Sequence, residues 1–250
     1  MLLQIGHVEA LFRYPVKSMA GERLETADLG WHGIEGDRRL ALRRIEDRGG
    51  FPVLSASRLP ELLRFVPERA PGAGANELPT HVRTPEGKRL PVFGEELAAE
   101  IGRRHGAPVQ MLQWKHGVFD EGSVSVVVSE TVREVGRLAG RSLDVRCFRP
   151  NVLLRLSQPV PFQEDEWVGS VLTFGDGADA PAIHVTLRDV RCSMLSLDPE
   201  SAVAAPEVLQ AVVRERQNQA GIYGTVTRIG RLEVGLPVFL RAPAQSLERR

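Results

Sequence analysis

The chain has 250 residues, of which 42% are hydrophobic and 26% are charged. This composition is typical of a globular protein with one large domain or two modest ones. Lys plus Arg and Asp plus Glu both total 32, so net charge gives no reason to expect nucleic acid or an anionic membrane as a partner. Two cysteines are too few for a disulfide framework. The N-terminal residues lack the pattern of a signal peptide, and no apolar run is long enough to span a bilayer, so we expect a cytoplasmic protein.

Short segments with strand-like patterns follow one another along the chain. Residues 39–45 alternate polar and apolar side chains, which predicts a half-buried strand. Residues 125–128 and 152–154 are apolar runs, which are typical of strands buried on both faces. The other predicted strands are residues 8–14, 80–84, 109–112, 183–187, 193–197 and a closing pair within 225–234.

Helices are predicted at few places, where an apolar stripe at helical spacing lies between a start signal and a stop signal. Hydroxyl N-caps and first-turn prolines mark the starts, and glycines mark the ends. The predicted helices are one or two turns within residues 59–65, residues 95–105 before Gly106, a helix capped by Ser129 and ending at Gly140, and a helix from Pro206 to Gly221. Many short strands with few helices predict a mainly β, barrel-like fold.

The chain divides best near residues 114–122, after a helix–strand unit and before a new apolar run. We therefore expect one domain at residues 1–114 and a second at residues 115–241. Residues 242–250 have the composition of a flexible tail.

Cys192 is the first candidate for chemistry. Arg191 lies next to it in the sequence, and a fixed positive charge stabilises a thiolate. Thiolates are the ligands that soft or sulfur-bound metals prefer. A buried cysteine that acts only as a small hydrophobic side chain is the alternative.

Three further segments place a cation at the junction of a turn and a strand. Lys17 and Ser18 follow Pro15 at the end of the first predicted strand, and such a pair suits a phosphate group. Arg38 and Arg149 lie in similar positions. Taken singly, side chains in such positions are more often solvated or ion-paired than bound to a ligand.

The motifs in combination resemble the MOSC family, named after the C-terminal domain of molybdenum cofactor sulfurases. Tyr-Pro-Val-Lys-Ser at residues 14–18, Phe-Arg-Pro-Asn at 148–151, and Arg-Cys at 191–192 followed by Asp-Pro at 198–199 carry the match. The similar subgroup has an N-terminal MOSC β-barrel domain followed by a MOSC domain. It includes the mitochondrial amidoxime-reducing component and bacterial MOSC-domain reductases.

The resemblance implies a molybdenum cofactor, in which a molybdopterin carries the metal. It implies no role for pyridoxal phosphate. Cys192 would be the metal ligand and the catalytic residue, whereas we expect Cys147 to be structural. Because the cofactor is anionic, cations and hydroxyls should hold it at the junction of the two domains. The implied cofactor-binding residues are Lys17, Ser18, Arg38, Ser129, Arg149, Asn151 and Arg191.

The resemblance also implies an oxidoreductase that reduces N-hydroxylated or N-oxide-type small molecules. An iron–sulfur cluster needs more cysteines than the chain offers, so a separate ferredoxin-, cytochrome- or flavin-type protein should deliver the electrons. Two alternatives stay open: a sulfur or molybdenum-cofactor carrier with a persulfide on Cys192, or a non-catalytic binding module. The segment at residues 200–205 lacks the threonine and glycine usual in relatives, which leaves the substrate side of the site less defined.

Overall fold

A computed structural model describes residues 2–242, which form sixteen β-strands and three α-helices. The fold is mainly β, as predicted. Of the predicted tail, residues 243–250 lie outside the described residues. The helices are α1 (Glu95–His105), α2 (Ser129–Leu138) and α3 (Pro206–Arg216). The strands are β1 (Leu2–Arg13), β2 (Glu22–Leu24), β3 (Thr26–Gly30), β4 (Gly33–Ile34), β5 (Leu40–Arg44), β6 (Val66–Glu68), β7 (His81–Arg83), β8 (Arg89–Pro91), β9 (Val109–Gln113), β10 (Val124–Val128), β11 (Val152–Leu156), β12 (Val171–Phe174), β13 (Ala182–Val190), β14 (Gln219–Arg228), β15 (Gly230–Glu233) and β16 (Pro237–Arg241).

Seven strands close into a barrel in the order β11–β10–β14–β13–β12–β16–β1, and β1 pairs back onto β11. The long strand β1 runs antiparallel to both β16 and β11. Gly6 allows the contact with β11, because a Cβ at this position would lie 2.0 Å from the carbonyl oxygen of Arg155. Closure leaves the barrel without a free edge along these strands.

Strand β10 is buried on both faces, as its apolar run predicts. Val124, Val126 and Val128 point into the barrel core. Val127 points outward into a second core, where it packs with residues of α2 and α3. Helix α2 connects β10 to the parallel strand β11 and covers the outside of this part of the barrel.

A third core lies beside the barrel. It contains apolar side chains from the β5–β9 pair, from α1 and from the small β6–β7–β8 sheet. Helix α1 has the predicted bounds, and Gly106 ends it in the left-handed conformation. Strand β1 shares the barrel with β10 to β14 and with β16. The division of the chain near residue 115 stays a prediction.

Three local predictions are wrong. Residues 193–197 form no strand; Ser193–Ser196 is a 3-10 turn, because Leu195 and Leu197 enter different cores. Gly221 does not end α3, since Gln217 already adopts the left-handed conformation and Gly221 lies within β14. The third wrong prediction, the cap of α2, is described below.

Within the described chain, no helix has the length and apolar character needed to cross a membrane.

The third wrong local prediction is that Ser129 caps helix α2. Ser129 is the first residue of that helix, and the preceding Val128 makes no side-chain cap. The Ser129 hydroxyl instead donates to Glu9 and contacts the carbonyl oxygen of Leu154, 3.2 Å away. Helix α2 therefore begins without a hydroxyl cap.

Candidate functional site

A cleft of about 390 Å³ opens between the barrel and the neighbouring core. The turn after β1, the loop before β10, the turn before β11 and the segment after β13 form its walls. Six of the residues predicted for the site line this cleft, namely Lys17, Ser18, Arg38, Arg149, Arg191 and Cys192. The first three come from the N-terminal part of the chain and the last three from the C-terminal part.

Lys17 is held at the base of the cleft by its backbone and by its ammonium group. Its N–H donates to the carbonyl oxygen of Leu40 at 2.8 Å. Its Nζ donates to the carbonyl oxygen of Val118 at 3.0 Å and to Asp120 Oδ1 at 2.8 Å. Burial lowers the pKa of Lys17, although Asp120 acts in the opposite direction. Asp120 is 65% exposed, so an incoming anion can displace this carboxylate from the ammonium.

Arg38 is fixed by neighbours on both sides of the cleft. Its guanidinium pairs with buried Asp37, and its Nη2 donates to the carbonyl oxygen of Arg149 at 2.9 Å. Burial acts to lower the pKa of Arg38, but Asp37, Tyr223 and Tyr14 together outweigh burial and raise it. Asn151 lies behind Arg38 and accepts a hydrogen bond from the N–H of Ser125 at 3.0 Å. Asn151 is 1% exposed, so in this structure it connects strands and does not line the cleft.

Arg149 is a cation without an anionic partner among residues 2–242. Its Nη1 donates to the carbonyl oxygen of Met19 at 2.9 Å, and its guanidinium lies 4.1 Å from the ring centroid of Tyr14. Its Nη2 is shielded from solvent and has no hydrogen-bond partner in the described chain. Burial lowers the pKa of Arg149 to about 10. Part of the side chain still reaches the cleft, so an anion bound there would supply the missing countercharge.

Arg191 lies under the cleft next to Cys192. Its Nε donates to the carbonyl oxygen of Ala220 at 2.6 Å, and its Nη1 donates to that of Phe148 at 2.9 Å. Its Nη2 is 2.9 Å from Asp189 Oδ2, close enough for an ion pair but not in the direction of a hydrogen bond. Two carbonyl oxygens and one carboxylate therefore hold the guanidinium in place.

The two cysteines occupy different environments. Cys192 is exposed, in the segment between β13 and the turn Ser193–Ser196. Cys147 is buried, its thiol lies 3.6 Å from the carbonyl oxygen of Leu197, and burial raises its pKa to about 11. Cys192 is accessible to a ligand, whereas Cys147 stays a neutral thiol at neutral pH.

Backbone strain coincides with the site. Ser18, Arg38 and Arg149 have φ angles of 67°, 49° and 50°. Residues other than glycine rarely adopt this left-handed backbone conformation, which costs on the order of 1–3 kcal/mol. Such strained residues are frequent at functional sites. In each case a left-handed residue turns the chain at the cleft.

Ser129, like Asn151, is a site prediction that the structure does not bring to the cleft. Its hydroxyl contacts Glu9 and Leu154 beside α2, and it is not among the residues that line the cleft. Asp189 and Tyr223 also line the cleft, although neither was among the predicted site residues. Tyr223 is one of only two tyrosines in the chain, and this is the one signal by which it could have been noticed.

The arrangement suits an anionic group that brings its own metal. Within the described residues, no cluster of three or more His, Cys, Asp or Glu side chains could hold a metal ion by itself. One accessible thiol is present instead, beside Lys17, Arg38, Arg149 and Arg191. The unpaired Nη2 of Arg149 fits a phosphate or a similar anion. The donor set therefore fits a metal cofactor with an anionic tail.

Comparisons with known proteins agree with this fold. Residues 102–239 match the family described as MOSC domain, and residues 5–134 match the MOSC N-terminal beta barrel domain. The crystal structure of the YuaD protein from Bacillus subtilis aligns over 98% of this chain and 99% of that one, with 16% identity and a TM-score of 0.54. YiiM from Geobacillus stearothermophilus aligns over 50% of this chain and 57% of its own, with 19% identity and a TM-score of 0.38. No curated protein matches the chain with significance. At this identity, the likeness to YuaD shows a shared fold alone.

Proposed function

The chain belongs to the MOSC domain family, and from this membership we propose that it is a molybdenum-cofactor-dependent oxidoreductase. MOSC domains bind molybdenum cofactor in general. The observation that supports the proposal is the convergence of four cationic side chains and one exposed thiol on a single cleft. Because the chain has a formal net charge of zero, this group is a local feature and not the result of a basic surface.

The residues of the cleft divide into two roles. The Cys192 thiolate would be the protein ligand to the metal, since it is exposed and next to Arg191. Lys17, Arg38 and Arg149 would bind the anionic part of the cofactor, and Ser18 adds a hydroxyl group. When bound, the cofactor supplies the exchange of electrons and of an oxygen atom, while the protein binds and orients the reactants.

The proposed substrates are N-hydroxylated or N-oxide-type small molecules. Each reduction needs two electrons. We propose that a separate ferredoxin-, cytochrome- or flavin-type protein delivers them in the cytoplasm. The assigned role of the second cysteine, Cys147, is to pack against the segment that follows Cys192.

The test is metal and pterin analysis of protein produced in a host that makes molybdenum cofactor. Wild-type protein should contain about one molybdenum and one pterin per chain. Cys192→Ser should abolish reduction of a hydroxylamine-type substrate with a chemical electron donor, because a serine hydroxyl is a harder donor than a thiolate and loses its proton far less readily. Pterin content should fall much less than activity, since the cationic side chains remain.

Cys147→Ser is the matched control, because it makes the same atomic change in the same cleft. It should keep its activity. If Cys147→Ser were inactive and Cys192→Ser active, the ligand assignment would be wrong. Wild-type protein that carries labile sulfur on Cys192 and no molybdenum would instead be a sulfur carrier. Protein with neither would be a binding module.

A further inference from the structure

Asp189 is a buried carboxyl group in the cleft to which the proposed function gives no role. It lies near the end of β13, is 2% exposed and lines the cleft together with Cys192. Its Oδ2 is buried and has no hydrogen-bond partner among the described residues. Arg191 Nη2 lies 2.9 Å from this oxygen, but the ion pair offsets only part of the free-energy cost of burying the carboxylate, so burial still favours the neutral acid.

Charged and titratable groups face Asp189 from three directions. Arg191 follows it on the same segment, the phenol of Tyr223 approaches from β14, and Asp120 and Glu121 lie on the loop before β10. Burial raises the pKa of Asp189 to about 6, the two acidic neighbours raise it further, and Arg191 and Tyr223 oppose this shift. The group is therefore protonated in part of the population close to neutral pH.

Asp189 is one of three groups that hold Arg191 in position. The Arg191 guanidinium also donates to two backbone carbonyl oxygens, at 2.6 Å and 2.9 Å. Asp189 can therefore gain or lose a proton while Arg191 stays in place. This is the behaviour required of a proton donor and differs from that of a fixed counterion.

We propose that Asp189 supplies a proton to the oxygen atom that leaves the substrate, an inference that rests on the proposed reductase function. Reduction of R–NH–OH takes two electrons and two protons, breaks the N–O bond, and gives R–NH2 and water. The redox partner protein supplies the electrons. Asp189 gives one proton to the departing oxygen and becomes a carboxylate, and solvent supplies the other proton. Solvent then returns a proton to Asp189.

The first experiment measures single-turnover reduction of a hydroxylamine-type substrate by the loaded and chemically reduced protein between about pH 5 and 8. The wild-type rate constant should fall as pH rises through the titration of Asp189. Asp189→Asn should lose this pH dependence and be about 100-fold slower at low pH, as is typical when a general acid is removed. Its molybdenum content should match that of the wild type. Tyr223→Phe should keep the pH dependence with a shifted midpoint.

The matched control is Asp176→Asn, an exposed carboxylate before the other end of β13. It should leave both the rate constant and the pH profile unchanged. A second readout does not need the cofactor: difference infrared spectra of the unloaded protein should show a protonated carboxyl band that disappears with rising pH. Asp189→Asn should lose one part of this band and keep the part that belongs to buried Glu164, whose pKa burial raises to about 7. Asp176→Asn should keep both parts.

The possible results separate the two proposals. If Asp189→Asn kept its molybdenum, its rate constant and its pH dependence, the proton-donor role would be wrong while the reductase function stood. Wild-type protein without molybdenum or reductase activity would overturn both. If Asp189→Asn lost molybdenum, Asp189→Glu would decide: a proton donor requires a pH-dependent rate constant in this variant. A loaded Asp189→Glu protein with a flat pH profile would show that the carboxylate serves only as a counterion of Arg191.

Discussion

Replacing Arg149 by methionine should reduce cofactor retention without a comparable loss of stability. At any pH below about 10, Arg149 is charged in both the folded and the unfolded chain. The free-energy cost of burying this charge is therefore the same at every pH used in the assay. Its pKa falls from 12.5 to about 10. At 1.36 kcal/mol per unit, this burial costs about 3 kcal/mol in the protein without cofactor. Methionine fills a similar volume and removes this cost.

Two favourable contacts are lost at the same time. The charged hydrogen bond to the carbonyl oxygen of Met19 contributes about 1.5–3 kcal/mol, and the contact with the Tyr14 ring contributes about 0.5–1 kcal/mol. The opposing effects nearly cancel, so the free energy of unfolding without cofactor should change by no more than about 1 kcal/mol. Loss of the charge-assisted contact to an anionic cofactor should weaken binding roughly ten- to hundred-fold.

The assay combines urea unfolding of the unloaded protein with pterin and molybdenum analysis of the loaded protein. Arg146→Met is the control, because Arg146 lies in the same turn and pairs with Asp144 and Glu200. That variant should lose about 0.5–1 kcal/mol of stability, as expected for a partly exposed ion pair, and keep its cofactor. An Arg149→Met protein that kept its pterin but unfolded several kcal/mol more easily would show that Arg149 is structural, and the reasoning would be refuted.

Three further predictions concern charge and backbone. Lys17→Ala should fold normally and retain roughly ten- to hundred-fold less cofactor, measured as pterin content, because it removes the ammonium that lies at the base of the cleft. Burial raises the pKa of Glu164 to about 7 from 4.5, so its stabilising contribution is complete below pH about 4.5 and is lost as pH rises through 7. The unfolding free energy of the wild type should therefore fall between low pH and pH 8, and in Glu164→Gln this fall should be smaller by about 3 kcal/mol. A variant whose unfolding free energy depended on pH as in the wild type would contradict this. Gly221→Ala places a Cβ at φ +85°, 2.7 Å from Arg191 Nη2, and should lower both the melting temperature and the cofactor content. The control Gly106→Ala has a similar φ of +81° with no atom within 4 Å, and should lower the melting temperature alone.

The sequence was most informative where short-range patterns decide the structure. The apolar run of β10 predicted burial on both faces, and the stripe of α1 followed by Gly106 predicted that helix with its correct bounds. The segment Ser193–Ser196 was predicted wrongly because its alternating apolar residues enter two different cores. The separation of Leu195 and Leu197 into different cores arises only from the tertiary fold.

The same distinction holds for the candidate site. Motifs placed Lys17, Arg149 and Cys192 in one candidate site, and the structure brings them to one cleft. Asp189 and Tyr223 escaped notice because neither lies in a recognisable motif, and they meet only through the pairing of β13 with β14. A contact between residues so distant in sequence leaves no local pattern.

The closure of the barrel has a consequence for synthesis on the ribosome. Strand β1 leaves the exit tunnel long before β16, whose last residue is Arg241, so one edge of β1 must wait for its partner strand. The other edge pairs with β11, which emerges much earlier. The nascent chain therefore carries an open sheet with an exposed strand edge until β16 has been synthesised. Such edges readily pair with other chains, so chaperone demand should be greatest during this interval and end when β16 pairs with β1.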